Sequence, residues 1–142
     1  MPHPLLAMYY DFAVVVGTGN TVDNPKEEDL ELTKGVIHRI EVEFPRGCRG
    51  YVHLELLHRE HRVWPTNREG DFAGEGYTIP IDEHYKLTSE PYALKARAWG
   101  VDCGYPHTIT VRIGVLPEAV LSPLAGVGSM LKKFFKLMGV GG

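Results

Sequence analysis

The sequence has too few cysteines for a disulfide framework, because Cys48 and Cys103 are its only two among 142 residues. A domain of this size buries roughly 68–70% of the surface of its unfolded chain, so one hydrophobic core can stabilise it without a crosslink or a metal. Both cysteines lie in short glycine-containing segments, GCRG and DCGY, that indicate turns. We expect two free thiols, with a bond between them as the alternative if the two turns meet.

Long apolar runs are also absent. No stretch reaches eighteen uninterrupted apolar residues, which is about the length that a transmembrane helix needs. The first residues, MPHPLLAMYYDF, have no basic region and only a short apolar run, so they do not have the pattern of a secretory signal. We therefore expect cytoplasmic synthesis and no membrane contact.

Positive charge is scarce over most of the chain. The formal net charge is −3, and every acidic residue lies at or before Glu118. Residues 1–122 carry twelve basic and eighteen acidic side chains, a charge of −6, whereas the last twenty residues carry three lysines. An acidic body repels phosphate backbones, so nucleic acid is not an expected partner.

Spacings that indicate catalysis or metal binding are missing too. The GTGNT segment from Gly17 leads into an acidic segment and not into the helix that a phosphate loop needs. His58 and His61 would point to opposite faces of a strand, so they would not share a metal ion. His107 lies near Cys103 but has no third group to orient it. We expect no catalytic residue, no metal ligand, no cofactor and no enzyme activity.

Three other sets of polar residues have structural explanations. His38 falls in an apolar row, where a neutral histidine bonded to a neighbour is the common arrangement. His53 and Glu55 share one strand face, as in a surface ladder. Asp82 and Glu83 are predicted to lie in a hydrated loop, so they do not form the facing carboxylate pair of a glycosidase.

Glycine and proline, in contrast, are abundant. Sixteen glycines and ten prolines separate short apolar runs, which favours an all-β chain of short strands. The clearest alternation runs from Val36 to Leu57. It places Val36, His38 and Ile40 on one face, and a turn at residues 45–50 precedes a return strand. This pattern predicts a β-hairpin at the centre of a sandwich.

Further alternations predict strands at residues 9–16, 30–32, 63–64, 77–81, 92–99 and 108–115, with a long loop at 17–29. Pro80 assigns its strand to a sheet edge. We predict an all-β, two-sheet sandwich of jelly-roll or immunoglobulin-like topology over residues 1–117. Its predicted core consists of Ile40, Val42, Phe44, Val52, Leu54, Leu56, Ile109, Val111 and Ile113.

Residues 118–142 have a helical period, so we predict a flexible arm with a short amphipathic helix. The predicted partner-binding residues are an apolar arc and the lysines opposite it: Leu131, Phe134, Phe135, Met138, Lys132, Lys133 and Lys136. Such a helix can lie on a membrane surface, dock on another subunit or fold back on its own domain. An acidic body favours docking between subunits.

Aromatic side chains give an alternative function. Trp64, Trp99, Tyr77, Tyr85, Tyr92 and Tyr105 could stack a sugar or fill the core. Trp99 shares its predicted strand face with Lys95 and Arg97, which indicates that it is exposed. A carbohydrate-binding or adhesive module is therefore the alternative to a purely structural protein.

The succession FPRGC, WPTN, PYALKARAW and HTITVRI over residues 8–117 resembles that of small all-β proteins of phages and phage-like particles, including capsid decoration proteins. The resemblance carries over no catalytic or binding residue. It implies a role in assembly at a virion or particle surface, commonly as a trimer or another symmetric homo-oligomer. The leading hypothesis is a non-enzymatic structural protein that self-associates and binds a protein lattice.

Overall fold

The computed structural model describes residues 8–67 and 69–117, and these residues form strands and no helix. The strands are β1 (Met8–Val16), β2 (Lys26–Glu31), β3 (Gly35–Phe44), β4 (Val52–His58), β5 (His61–Trp64), β6 (Phe72–Ala73), β7 (Tyr77–Leu87), β8 (Ala93–Gly100) and β9 (His107–Pro117). The prediction of an all-β protein is confirmed.

Two antiparallel sheets pack against each other in a β-sandwich-like arrangement. Sheet 1 has the strand order β1-β9-β3-β7, and sheet 2 has the order β2-β8-β4-β5, with the short β6 also pairing with β4. The pairing is nested along the chain: β1 pairs with β9, β2 with β8, β3 with β7, and β4 with β5. The first and last strands therefore lie side by side.

The core lies between the two sheets. All nine residues predicted to form it have no exposed surface, and all belong to one apolar cluster. Small side chains from β8, Ala96 and Ala98, belong to the same cluster and pair with Leu56 and Leu54 of β4, respectively. Full burial of each isoleucine, leucine or phenylalanine side chain contributes roughly 1.5–3 kcal/mol, so this cluster is the main source of stability.

The predicted central hairpin is wrong, because β3 and β4 belong to different sheets. The chain crosses from sheet 1 to sheet 2 at residues 45–51. Both strands direct an apolar row into the same core, one from each side. Alternation reports which face is buried but not which strand is the neighbour, so a hairpin and a crossing look alike in sequence.

A β-bulge interrupts the alternation of β3. On β9, Val115 pairs with Ile37 and Gly114 pairs with Arg39, which leaves His38 as an extra residue on β3. Ile37, predicted on the wet face, consequently belongs to the core cluster. The predicted apolar row therefore omits Ile37 and wrongly includes His38, whereas Val36 is buried as predicted.

His38 lies on the outer face of sheet 1, where its ring covers Gly114. A Cβ atom built on Gly114 would come 2.7 Å from Nε2 of His38. That Nε2 is buried and has no hydrogen-bond partner among the described residues. Because the ring also lies outside the core, the expectation of a histidine in the apolar core row is wrong. The bulge turned this side chain away from the core.

Two strands extend into segments that were predicted to be loops. The charged β2 begins at Lys26, inside the loop predicted for residues 17–29, and it pairs Glu27 with Arg97 of β8. β7 continues through the predicted loop carboxylates to Leu87, and Asp82 accepts a hydrogen bond from Arg39. Both segments carry charged residues that form ion pairs and lack a regular apolar alternation. A search for apolar periods therefore does not detect these parts of the strands.

The predicted arm of residues 118–142, with its helix and its seven partner-binding residues, lies outside the described residues and stays a prediction. Within the described segments, no helix is long and apolar enough to cross a bilayer.

Candidate interaction surface

Four loops meet at one end of the sandwich. The strand register places the ends of β1, β3 and β8 beside the starts of β9, β7 and β4, respectively. The loops at residues 17–25, 45–51, 74–76 and 101–106 are therefore neighbours. We call this surface, together with Tyr77 at the start of β7, the tyrosine end.

Hydrogen bonds between main-chain atoms tie these loops together. The amide of Gly100 donates to the carbonyl of Asn20 over 2.9 Å, and the amide of Val101 donates to the carbonyl of Tyr51 over 2.8 Å. The amide of Gly50 donates to Gly74 over 3.3 Å. A surface fixed in this way loses little conformational entropy when a partner binds.

Glu75 holds the turn between β3 and β4 from outside. Its carboxylate accepts hydrogen bonds from the amides of Arg49, at 2.7 Å, and Gly47, at 2.9 Å. These two donors hold the pKa of Glu75 below its usual value. The turn needs such support, since Arg49 has a φ of 51°, which is uncommon for a residue other than glycine.

Large apolar side chains are exposed on this end. The side chains of its five members are between 46% and 64% exposed, and they are Val22, Tyr51, Tyr77, Val101 and Tyr105. Four of them lie in three of the loops, and Tyr77 directly follows the fourth loop. Tyrosine is enriched in protein interfaces because it offers a large apolar area and a hydroxyl group together.

A cavity of about 290 Å³ opens among these side chains, and Cys48, Cys103, Tyr105 and His107 line it. The structure therefore brings both thiols to one place, as free cysteines. Burial raises the pKa of the Cys48 thiol to about 11, which keeps it protonated and a poor nucleophile at neutral pH. The ring of His107 packs against Tyr105, with centroids 4.5 Å apart.

Glycine at position 47 makes this packing possible. Its φ is +99°, and a Cβ atom there would lie 2.5 Å from the hydroxyl oxygen of Tyr105. A larger residue would therefore strain the turn and displace the tyrosine at the same time.

A second surface is the outer face of sheet 2. Trp99 is half-buried, and the ring of His53 stacks on it with centroids 5.6 Å apart and planes at 13°. Nδ1 of His53 lies 2.6 Å from a carboxylate oxygen of Asp71, and Arg97 donates to Glu55 over 3.1 Å. His53 and Glu55, which were predicted to form a surface ladder, thus bond instead to Asp71 and Arg97, respectively.

The outer face of sheet 1 carries a charged network. Arg39 bonds Asp82 at 2.8 Å, and Arg112 bonds Glu43 at 2.8 Å, with Glu41 between the two arginines. The hydrogen bond from Arg39 is the main cause that holds the pKa of Glu41 below its usual value. Exposed pairs of this kind contribute little to stability, so this network mainly keeps the face hydrated.

The histidines at the β4–β5 turn have no metal-site geometry. His58 and His61 face each other across a two-residue turn and do not lie on one continuous strand as assumed. His58 bonds instead to the hydroxyl of Tyr85, at 2.6 Å, and approaches the carbonyl of Pro91. Among residues 8–67 and 69–117, no group of three histidine, cysteine or acidic side chains could hold a metal ion.

Sequence reasoning found only part of the tyrosine end. It named Tyr77 and Tyr105 for a sugar platform, but it missed Tyr51, Val22 and Val101. Each missed residue lies next to a residue typical of turns: Gly50, Thr21 and Asp102. An apolar residue inside a predicted turn was the available signal.

No protein-family model matches the chain, and no curated protein matches its sequence. The function is therefore inferred from the surfaces that the fold presents.

Proposed function

We propose that the protein is a non-enzymatic structural protein that self-associates and binds a protein lattice, as a decoration or assembly protein of a virion or particle surface. The observation that carries this proposal is the tyrosine end. It combines five exposed apolar side chains with loops that are already ordered by mutual hydrogen bonds. Rigid, aromatic and partly apolar surfaces of this kind are typical of protein interfaces.

The strand connectivity supports the same proposal. If β6 is set aside as an addition to β4, the first strand pairs with the last, the second with the next-to-last, and so on inward. This nested pairing is the strand order of a jelly roll. We therefore propose the jelly-roll topology over the immunoglobulin-like one. Jelly rolls occur in viral capsid proteins and in lectins, and this analogy of fold is compatible with both candidate functions.

Fractionation of particles tests the lattice hypothesis. Particles are purified on a density gradient from the cells that naturally make this chain, and its amount in particle and soluble fractions is measured. Substitution of Tyr51→Ser together with Tyr77→Ser should move the chain into the soluble fractions. His84→Ser is the control, because His84 is an exposed ring side chain on β7, outside the tyrosine end and at the edge of sheet 1 opposite β1.

The outcomes separate clearly. A chain that is soluble even without substitutions contradicts lattice binding. Equal retention of the double variant and of the control would show that the tyrosine end is not the contact surface. The symmetric homo-oligomer implied by the resemblance, a trimer or another symmetric group, is tested separately by sedimentation velocity of the purified chain.

Carbohydrate binding is the second candidate, and the outer face of sheet 2 favours it. Trp99 and the ring of His53 stacked on it lie beside the ionic groups of Arg97, Glu55 and Asp71, and this combination of rings and polar groups can pack on a sugar ring and bond its hydroxyls. Binding on a glycan array that Trp99→Ala abolishes would support this candidate. Its loss with Tyr51→Ser instead would place the sugar at the tyrosine end.

A further inference from the structure

We infer that β1 is a self-pairing edge strand, through which two copies of this chain join sheet 1 to sheet 1 antiparallel across a two-fold axis. This inference rests on the proposed self-association and names the strand that performs it. It depends on how the four edges of the sandwich differ from one another.

Three of the four edges are protected against strand addition. On sheet 2, β2 reads KEEDLE, with five charged residues among six, and the opposite edge consists of the short β5 and β6. On sheet 1, β7 carries Pro80, two acidic residues and Lys86. Charges, proline and short length are the usual devices that prevent unwanted pairing of edges.

β1 has almost none of these devices. It is nine residues long, reads MYYDFAVVV and carries one charged residue, Asp11. Within the segments that the structure describes, β1 pairs on one side only, with β9. A long, largely apolar edge with a single charge offers a row of main-chain donors and acceptors to another strand.

The exposed apolar side chains on the sheets themselves point to the same strand. Among residues 8–67 and 69–117, the two most exposed large apolar residues outside the tyrosine end are Tyr9, at 57%, and Val15, at 49%, and both lie on β1.

The sequence of β1 selects a second copy of itself as the partner. An antiparallel pair centred on Phe12 aligns all nine residues, with Met8 opposite Val16. This register sets Tyr9 of one copy against Val15 of the other and thereby covers both exposed side chains. It also sets Asp11 against Ala13, so that the two aspartates avoid each other. Aromatic residues beside β-branched ones are favourable cross-strand pairs, whereas like charges directly opposite are not.

Charge placed at position 13 tests both the pairing and its register. Ala13 is exposed, so substitution there leaves the core intact. Ala13→Asp would place a carboxylate opposite the second copy's Asp11, twice per dimer, and should raise the dimer dissociation constant on the order of tenfold. Ala13→Lys would place an ammonium group there instead and should leave the dimer as strong or make it stronger.

Sedimentation velocity across protein concentrations measures the dissociation constant of the full chain and of both variants at low salt. Hydrogen exchange of the peptide that contains β1 provides a second readout, because pairing should protect its amides more as concentration rises. Circular dichroism confirms that each variant is folded. The expected result is a dimer weakened by Ala13→Asp, kept by Ala13→Lys, with protection of β1 that depends on concentration.

Other outcomes overturn the inference in distinguishable ways. Association that both variants leave unchanged, or a trimer without a dimer, would show that the contact lies elsewhere, while self-association as such would stand. A monomer at every concentration would contradict both this inference and the proposed self-association. Weakening by both variants equally would contradict the register, since only one of the two charges should repel Asp11.

Discussion

Single residues decide the shape of the tyrosine end, and Glu75 is the one with the most direct effect. Two main-chain amides lower its pKa, so the ionised form stabilises the folded state. This stabilisation is fully present above the unfolded-state pKa, near 4.5, and is lost as pH falls through the lower folded-state value. Acid should therefore loosen the turn between β3 and β4.

Glu75→Gln should lower the melting temperature at pH 7, because the amide oxygen is a weaker acceptor and carries no charge. The loss of melting temperature between pH 7 and pH 3 should also be smaller in the variant than in the unmodified protein. Glu69→Gln is the control, since Glu69 is exposed and forms no hydrogen bond among the described residues. An equal effect of both substitutions on the pH profile would refute the role assigned to Glu75.

The two thiols should differ in reactivity although they line one cavity. Cys48 is 1% exposed with a pKa of about 11, so only about one thiol in a thousand is ionised at pH 8. Cys103 is partly exposed. Iodoacetamide should therefore modify Cys103 in the folded protein and Cys48 only after denaturation, as peptide mass spectrometry would show. Equal labelling rates before denaturation would contradict the burial of Cys48.

At the scale of elements, regular alternation of apolar and polar residues predicted where strands lie and which of their faces is buried. Strands with one apolar and one polar face, such as β8 and β9, were placed correctly because side chains of period two follow directly from the pleat. The bulge at His38 was not predicted, since an extra residue changes the face of its neighbours without changing composition. The change of sheet between β3 and β4 was missed because it depends on the partners of each strand.

The contact between His38 and Gly114 makes the bulge testable. Gly114→Ala places a methyl group within 2.7 Å of the imidazole and should cost about 1–3 kcal/mol of unfolding free energy, the usual range for overpacking. His38→Ala should relieve the clash, so that the double variant is more stable than the two single effects would predict. Urea denaturation measures all three.

Gly104→Ala is the control for this experiment, because a Cβ atom there meets nothing within 4 Å. It should leave stability nearly unchanged. A neutral Gly114→Ala variant would mean that the imidazole moves aside freely and that the bulge does not fix its position.

For the whole molecule, burial was predictable and the candidate site was mostly not. Core residues such as Ile40 and Val111 are apolar and alternate with polar neighbours along the chain, so the sequence itself indicates that they are buried. The tyrosine end is assembled from four loops that lie far apart in sequence, and Tyr51 meets Val101 only because β4 pairs with β8. Proximity of this kind depends on strand order, which no local pattern contains.

The predicted arm allows the last test at this scale. The core cluster of the described residues already joins both sheets, so deletion of residues 123–142 should leave the sandwich folded with little change in its unfolding midpoint. The apolar arc should instead dock on the surface of a neighbouring molecule; its residues are Leu131, Phe134, Phe135 and Met138. We therefore expect the deletion to reduce retention on particles or the size of the oligomer, measured by gradient fractionation and sedimentation velocity.

Two variants show what the arm contributes. Phe134→Ser with Phe135→Ser should reproduce the effect of the deletion without shortening the chain. Neutralising Lys132, Lys133 and Lys136 should weaken binding only where the docking surface is acidic, and added salt should then weaken it as well. Ala13→Asp on β1 should separate the two contacts, because it weakens the dimer and leaves the arm free to bind. A deletion that unfolds the isolated domain would instead make the arm part of the core and end the hypothesis of docking between subunits.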